Sequence, residues 1–223
     1  IVIVASRHEQ SAADIPASVT VLDKDANVFT LATSMRDYVR YEPGVSVPFG
    51  VGGMGPAANS RAGNSSINIR GLDGNRVLMT MDGIRQADQF TFGGAYNIGR
   101  DFVDVDALKQ VEILKNAASS LYGSDALAGV VSFTTIDPED LLALSPSGRN
   151  SVARLTTRYD STDDSWGHTI SMAQRAGNVE FLLHYTRRDG HEIVVASAPV
   201  GATAEHDRTT HARAFAVAGE RGL

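Results

Sequence analysis

The sequence predicts a mixed α+β domain followed by a run of antiparallel strands, and three observations carry this prediction. Asp82-Gly83 is a strong hairpin signal, and it joins two apolar segments at 76–81 and 84–86. Ser34 and Asp37 fit a capping box that starts a short helix at 34–41. Beyond residue 150, segments of about ten residues alternate between apolar and polar side chains, as half-buried strands do.

The other predicted elements follow in chain order. Strands are predicted at 17–23, 67–70, 111–115 and 130–135, a helical turn at 106–110, and a small-residue helix that ends at Gly123. The glycine-rich residues 50–66 and the aromatic residues 87–100 are predicted as loops, and 137–150 as a linker. The alternating segments are predicted as strands at 151–161, 165–177, 179–190 and 211–220.

Composition excludes several classes of protein. A chain of 223 residues, 43% hydrophobic and 21% charged, has enough apolar surface for a core, so it is not disordered. It has no Cys, which excludes disulfides and thiolate metal sites. The sequence contains no run of about 18 apolar residues, so it predicts no transmembrane helix. Residues 1–148 carry 11 basic and 17 acidic side chains, a balance of −6, which argues against nucleic acid as a partner.

An enzymatic interpretation rests on one glycine-rich motif. Residues 50–55, GVGGMG, match the G-x-G-x-x-G pattern of dinucleotide-binding enzymes, and Asp73 follows about 20 residues later. The next segment, PAANSRAGNSS, has no apolar face to pack on a sheet, and no βαβ series follows it. The G-K-[ST] ending of a P-loop and a nucleophile-elbow pattern are also absent from the sequence. We therefore predict no enzymatic activity and no catalytic residues.

The alternating strands are compatible with two environments. Leu155 and Tyr159 alternate with arginine and threonine in the first of these strands, and Trp166 and Ile170 alternate with polar residues in the second. In a soluble sheet the polar face meets water. In an outer-membrane barrel the apolar face meets lipid and the polar face lines the lumen. Alternation alone leaves both environments open.

Six motifs, read in order, resemble those of one family. They are IVIVAS at the start, IPASVTVLD, RDYVRYEPGV, INIRGLDGNRVLMTMDGIRQ, VEILKNAASSLYGSDALAGVVSFTT and DPEDLL. Together they resemble TonB-dependent outer-membrane receptors of the haem/haemoglobin type. The resemblance implies a TonB box and plug domain at 1–142, and a linker with the first strands of an incomplete transmembrane β-barrel at 143–223. It also implies the bacterial outer membrane as the location, with its lipid as a partner.

The resemblance assigns a transport function without a permanently bound cofactor or metal. The transported ligand would be haem, or iron from a haem- or iron-carrying protein, with a ferric siderophore as the alternative. The first six residues would form the TonB box, which pairs with the periplasmic protein TonB by strand addition. These residues are Ile1, Val2, Ile3, Val4, Ala5 and Ser6, and an ordinary edge strand is the alternative for them.

The resemblance also implies ligand-binding residues in an apical loop at 87–100. The candidates are Phe90, Phe92, Tyr96 and Asn97, because aromatic rings can stack on a porphyrin and a tyrosine can ligate haem iron. Several haem receptors carry an axial histidine in this loop, and this chain has none there. Packing within the loop is the alternative role for these aromatic residues.

Three arginines near apolar runs are candidates for ion pairs between the plug and carboxylates of the barrel lumen. They are Arg70, Arg76 and Arg85, and the resemblance favours Arg70 because it lies in the motif IRG. A buried pair of this kind is destabilised by several kcal/mol when one partner is removed, about 3–5 in general experience. For Arg76 and Arg85 the alternative, that they hold the fold of the plug itself, stays open.

Overall fold

The computed structural model describes residues 18–23, 32, 34–47, 66–92, 96–98, 103–145, 149–161, 164–191 and 208–220. The chain divides into two compact units, residues 1–135 and 136–223. The first unit is a mixed α+β domain and the second consists of antiparallel strands preceded by a short helix, so the predicted fold class is confirmed. No helix among the described residues is long and apolar enough to cross a membrane.

The first unit is built on a five-stranded mixed sheet. Its elements, in chain order, are β1 (Val19–Asp23), α1 (Met35–Tyr38), β2 (Val45–Ser46), β3 (Asn68–Ile69), β4 (Val77–Met81), β5 (Ile84–Arg85), β6 (Phe90–Phe92), β7 (Tyr96–Ile98), β8 (Leu108–Leu114), α2 (Ser119–Tyr122) and β9 (Gly129–Thr135). The strand order in the sheet is β1-β8-β9-β4-β5, in which only the β4–β9 pair is parallel. Strands β2 and β3 form a separate ribbon, as do β6 and β7.

The sheet of the first unit buries both of its faces. One face packs under α1 and β3, and its fully or nearly fully buried side chains include Val77, Met79, Val111, Ile113, Val131 and Phe133 with Met35, Val39 and Ile69. The other face holds a smaller cluster around Leu78, Leu114, Ala118, Ala126 and Val130. Burial on both faces explains why β4 and β9 read as near-continuous apolar runs.

Close approach of the backbone at Gly129 allows β8 and β9 to pair. A Cβ atom at this position would clash with the carbonyl oxygen of Leu114 and would lie 3.0 Å from Ile69 Cδ1. Only glycine therefore fits where β9 begins. The pairing that starts here continues from Leu114↔Val130 to Leu108↔Thr135, with one irregularity near Gln110.

The capping box predicted for α1 is present. Asp37 N–H donates to Ser34 Oγ at 3.3 Å, and Ser34 N–H donates back to Asp37 Oδ2 at 3.1 Å. Met35 and Tyr38 are buried on one face of this helix. The helix ends at Tyr38, three residues before the predicted end.

Three sequence predictions were wrong in detail. The helical turn predicted at 106–110 is a 3-10 turn over Val105–Ala107, after which β8 already begins at Leu108. The predicted loop at 87–100 contains the paired strands β6 and β7. The predicted linker contains helix α3 (Pro138–Leu142), which has its own capping box between Asp137 and Asp140 and a proline in its first turn.

The second unit is a four-stranded antiparallel sheet. Its strands are β10 (Ser151–Asp160), β11 (Ser165–Ala176), β12 (Val179–His191) and β13 (Arg208–Glu220), in the order β10-β11-β12-β13. Helix α3 packs Leu141 and Leu142 into a small cluster with Ala173 of β11 and Leu182 of β12. The four strands confirm the predicted elements to within a few residues at each end.

A nearly buried ion pair lies at the point where the edge strand β1 is attached to the rest of the first unit. Lys115 Nζ lies 2.5 Å from Glu42 Oε1, and their side chains are only 12% and 9% exposed. The hydroxyl of Thr20 in β1 donates to the same carboxylate oxygen at 2.7 Å. Lys115 N–H also donates to the carbonyl oxygen of Ser18 at 2.9 Å. The loop after α1, the end of β8 and the start of β1 therefore meet at one carboxylate.

We expect Lys115→Met to destabilise the attachment of β1 by about 3 kcal/mol, because it leaves the Glu42 carboxylate buried without its cation. Hydrogen exchange of the β1 and β8 amides should accelerate by about 100-fold. The double variant Glu42→Gln/Lys115→Met removes both charges and should recover part of that loss. Equal exchange rates in the single and double variants would contradict the role of this pair.

Candidate functional site

The sheet of the second unit has its apolar face exposed. On β11 and β12 the large apolar side chains alternate outwards and are 39–50% exposed: Trp166, Ile170, Met172, Phe181, Leu183 and Tyr185. Most of the buried side chains between them are polar, namely Ser165, Thr169, Ser171, Glu180, His184 and Thr186, and the apolar exceptions are Ala173 and Leu182, which pack against α3. A soluble sheet has the opposite arrangement.

The apolar side chains form one continuous surface. The strand register places Met172 beside Leu183 and Ile170 beside Tyr185, so the rows on neighbouring strands adjoin. At one end of this surface, the rings of Tyr159 and Trp166 lie 5.1 Å apart between centroids. A broad apolar surface that ends in aromatic rings is the pattern of a barrel wall facing lipid.

The buried polar face satisfies its own hydrogen bonds. His184 is 1% exposed, and its two ring nitrogens lie 2.9 Å from Ser171 Oγ and 3.1 Å from Thr186 Oγ1. Near the β11–β12 turn, Arg175 Nε donates to Glu180 Oε1 at 2.6 Å. This hydrogen-bonded polar surface is suited to lining a hydrated lumen. Of the two environments left open by the sequence, burial favours the barrel.

The hairpin between β4 and β5 is fixed at its turn. Asp82 and Gly83 have φ angles of 49° and 78°, the positive pair that a type I′ turn requires. The carboxylate of Asp82 accepts hydrogen bonds from Thr135 N–H and Thr135 Oγ1, both at 2.9 Å. Asp82 N–H donates to the carbonyl oxygen of Phe133 at 2.9 Å. The turn is thereby bound to the end of β9.

Arg76 forms an ion pair within the first unit. Its Nη2 lies 2.8 Å from Asp73 Oδ1 and its Nε donates to the Asp73 carbonyl oxygen at 3.0 Å. Both side chains are about half exposed. Asp73, which follows the glycine-rich motif, thus forms an ion pair with an arginine. This geometry fits the alternative role, in which the arginine holds the fold of the plug. Pairing with a barrel carboxylate stays a prediction for Arg76.

Arg85 forms ion pairs with two carboxylates of the first unit. Its Nη2 lies 2.9 Å from Asp88 Oδ1, and the same nitrogen contacts Asp125 Oδ2. The hydrogen bond with Asp88 raises the pKa of Arg85 above its usual value, so the side chain stays charged. A further pair with the barrel stays a prediction for Arg85.

Arg70 differs from the other two arginines. Its backbone is in a left-handed conformation with φ 52°, its N–H donates to the Gly44 carbonyl oxygen at 2.8 Å, and its side chain is exposed. Within the described part of the chain, its guanidinium makes no ion pair. Its pairing with a barrel carboxylate stays a prediction.

The four candidate ligand-binding residues lie in the β6–β7 ribbon. Phe90 and Phe92 belong to β6, and Tyr96 and Asn97 belong to β7. The antiparallel register pairs Phe92 with Tyr96 and Thr91 with Asn97. The register thus brings the two strands that carry the four candidates side by side. The six residues predicted as the TonB box lie outside the described residues.

Sequence reasoning missed two groups of contacts in the first unit. The pair between Glu42 and Lys115 joins residues 73 positions apart, and nothing in the sequence indicated it. Asn75, which binds the backbone of Gln89, was likewise not singled out. Among the described residues, no group of three or more histidine and acidic side chains could hold a metal ion.

Comparison with known proteins gives a family for the chain. Residues 11–130 match the model of the TonB-dependent Receptor Plug Domain, which is more than half of the chain. The chain belongs to the family of TonB-dependent receptors. This confirms the resemblance drawn from the six motifs. The family consists of outer-membrane receptors and not of enzymes, in agreement with the rejection of the glycine-rich motif as a dinucleotide site.

The relatives that this TonB-dependent receptor chain matches are longer than the chain itself. It is 34% identical to Transferrin-binding protein A of Neisseria meningitidis serogroup B over 72% of the chain and 17% of that protein. It is 32% identical to the Hemin receptor of Yersinia enterocolitica over 84% of the chain and 25% of that protein. The chain therefore spans about a sixth to a quarter of the length of these relatives.

A solved structure shares the fold. The FrpB iron transporter from Neisseria meningitidis, F5-1 variant, superposes with a TM-score of 0.60 at 25% identity. The match covers 76% of this chain and 23% of that one. The antiparallel strands that follow the plug are therefore those of a TonB-dependent receptor, and the exposure of their apolar face is the expected state of a barrel wall.

We expect a lysine on the exposed apolar face to destabilise the receptor according to its depth in the membrane. Leu183→Lys, in the middle of the apolar rows, should lower the free energy of unfolding in lipid vesicles by about 2–4 kcal/mol. Gln174→Lys lies on the same face close to the β11–β12 turn and should lower it by only about 0–1 kcal/mol. Denaturant titration of the full-length receptor in vesicles measures both, and equal effects would show that this face does not meet lipid.

Proposed function

We propose that the chain forms the plug and the first barrel strands of a receptor that imports haem, or iron taken from a haem- or iron-carrying protein. The observation that carries the proposal is the inverted burial of β11 and β12 directly after a plug domain. A polar face toward the lumen and an apolar face toward lipid suit a transporter of the outer membrane. The names of the relatives, a transferrin-binding protein and a hemin receptor, support iron-containing cargo.

Ligand capture is assigned to the β6–β7 ribbon. The aromatic rings of Phe90, Phe92 and Tyr96 would offer planar surface to a porphyrin, and a tyrosine oxygen is a known ligand of haem iron. Asn97 is assigned to the same site, where its amide group would hydrogen-bond the ligand. The absence of histidine from residues 87–100 favours a second candidate, a receptor for a ferric siderophore, whose iron arrives already chelated.

Energy for import is assigned to TonB, acting on residues 1–6. An extended segment adds to the sheet of a partner through its main-chain hydrogen bonds, and the apolar sequence IVIVAS is suited to this mode. The segment leads into β1, which is an edge strand of the plug sheet. A pull on this segment would therefore reach the plug through β1.

Charge pairing between plug and lumen is assigned first to Arg70. The partners that Arg76 and Arg85 have in the first unit, Asp73, Asp88 and Asp125, already balance those two cations. Arg70 would meet a carboxylate of the barrel lumen. Such a pair would hold the plug in place without apolar packing between the plug and the wall.

Ile3→Pro in the full-length receptor tests the TonB box. Proline has no N–H to donate to the added strand, so growth on haemin as sole iron source should fall at least about tenfold. Binding of haemin to whole cells should remain unchanged. Ile3→Val keeps the backbone donor and should grow normally. Normal growth of the proline variant would show that residues 1–6 have no role in energy transfer.

Haemin titration of the purified full-length receptor tests the ligand. We expect a Soret shift whose half-saturation rises at least about tenfold, or 1.4 kcal/mol, in Tyr96→Phe and in Phe92→Ala. Tyr41→Phe is the control, because Tyr41 is 76% exposed and lies outside the ribbon. A shift that Tyr96→Phe leaves unchanged would exclude Tyr96 as iron ligand. No spectral change in the unmodified receptor would favour a ferric siderophore as cargo.

A further inference from the structure

The segment that leads into the β6–β7 ribbon is held at several points. It runs from Gln86 to Gln89, between β5 and β6. Gln86 N–H donates to the carbonyl oxygen of Met79 at 2.9 Å, and Asp88 accepts from Arg85 at 2.9 Å. Gln89, although polar, is 8% exposed. The ribbon therefore starts from a fixed root, and β6 begins one residue later at Phe90.

The last of these attachments is made by the side chain of Asn75. Asn75 Nδ2 donates to the carbonyl oxygen of Gln89 at 3.1 Å, and Gln89 N–H donates to Asn75 Oδ1 at 2.7 Å. One amide side chain thus binds both polar groups of one backbone residue, as a neighbouring strand would. An amide is the side chain that supplies a donor and an acceptor side by side, so this contact depends on the identity of residue 75.

Asn75 itself sits on a fixed support. It lies in a 3-10 turn, Gly74–Arg76, directly before β4. Gly74 has φ 62°, its N–H donates to Ser66 Oγ at 3.1 Å, and a Cβ there would lie 3.1 Å from Gln89 Oε1. Glycine is therefore needed both for the backbone angle and for the space that Gln89 fills.

We propose that Asn75 is a positioning residue for the ligand-binding ribbon. By binding Gln89 it fixes where the strand that carries Phe90 and Phe92 leaves the plug. The inference rests on the proposed function of that ribbon. A ribbon whose root is already fixed loses less conformational entropy when a ligand binds. The contact between Asn75 and Gln89, called the clamp below, would therefore raise affinity without touching the ligand.

The proposal is tested first by haemin affinity in the full-length receptor. Asn75→Ala removes both hydrogen bonds and should raise the half-saturating haemin concentration about tenfold. Asn75→Asp keeps an acceptor for Gln89 N–H and loses the donor to the Gln89 carbonyl oxygen, so its affinity should fall less. Asn116→Ala changes an exposed asparagine elsewhere in the plug and should bind as the unmodified receptor does.

Uptake kinetics separate positioning from general damage to the plug. If Asn75 positions the ribbon, Asn75→Ala raises the haemin concentration for half-maximal uptake and leaves the maximal rate per receptor unchanged. If Asn75 only supports the fold, the variant lowers the amount of receptor or its maximal rate and leaves the half-maximal concentration unchanged. That second result would overturn the proposal.

A spin label on the ribbon gives a readout that needs no ligand. The chain has no Cys, so Thr91→Cys adds a single labelling site to it, with any cysteine elsewhere in the receptor replaced by serine. Asn75→Ala should sharpen the nitroxide spectrum, whereas Asn116→Ala should not. An unchanged spectrum overturns the proposal. A sharpened spectrum in a receptor that shows no Soret shift supports the clamp and overturns haem as the cargo.

Discussion

The arrangement of the plug depends on the close approach of two backbones at Gly129. Because this residue has no side chain, β9 can lie against the end of β8, and it then pairs with β8 on one side and with β4 on the other. The hairpin of β4 and β5 is bound to β9 a second time through Asp82 and Thr135. The root of the β6–β7 ribbon is in turn bound to the hairpin. A chain of contacts therefore leads from one glycine to the root of the proposed ligand-binding ribbon.

The two units differ in which kind of side chain they bury. The first unit has an apolar core and carries exposed short-range ion pairs, such as Arg76 with Asp73 and Arg85 with Asp88. The second unit exposes its apolar face and buries hydroxyl, imidazole and carboxylate groups that bind one another. Such a sheet is stable only where the surrounding medium is less polar than its interior.

Much of the fold could be predicted because its signals are local. The Asp82-Gly83 turn, the Ser34–Asp37 capping box and the alternation after residue 150 each depend on neighbours within a few residues, and all three appear in the structure. Helix α3 carries the same kind of capping signal at Asp137 and Asp140, in a segment whose composition predicts a linker. The acidic partners Asp73 of Arg76 and Asp88 of Arg85 lie three residues away, so a charge-pattern argument could also have predicted them.

The clamp of Asn75 on Gln89 and the ion pair of Glu42 with Lys115 could not be predicted, because folding alone brings those residues together. Which environment the alternating strands face was likewise decided by burial and not by periodicity.

The ion pair between Glu42 and Lys115 has a mechanical consequence. Tension applied through residues before Val19 enters the sheet at the Val19–Leu114 pair, beside Lys115 and one residue from Thr20. An edge strand pulled from its end separates from its partner one residue at a time, and the first step must break the hydrogen bonds that join Ser18 to Lys115 N–H and Thr20 to the Glu42 carboxylate. The resistance to opening would thus be concentrated at the start of β1, and the remaining pairs, as far as Asp23 with Gln110, would then separate in sequence.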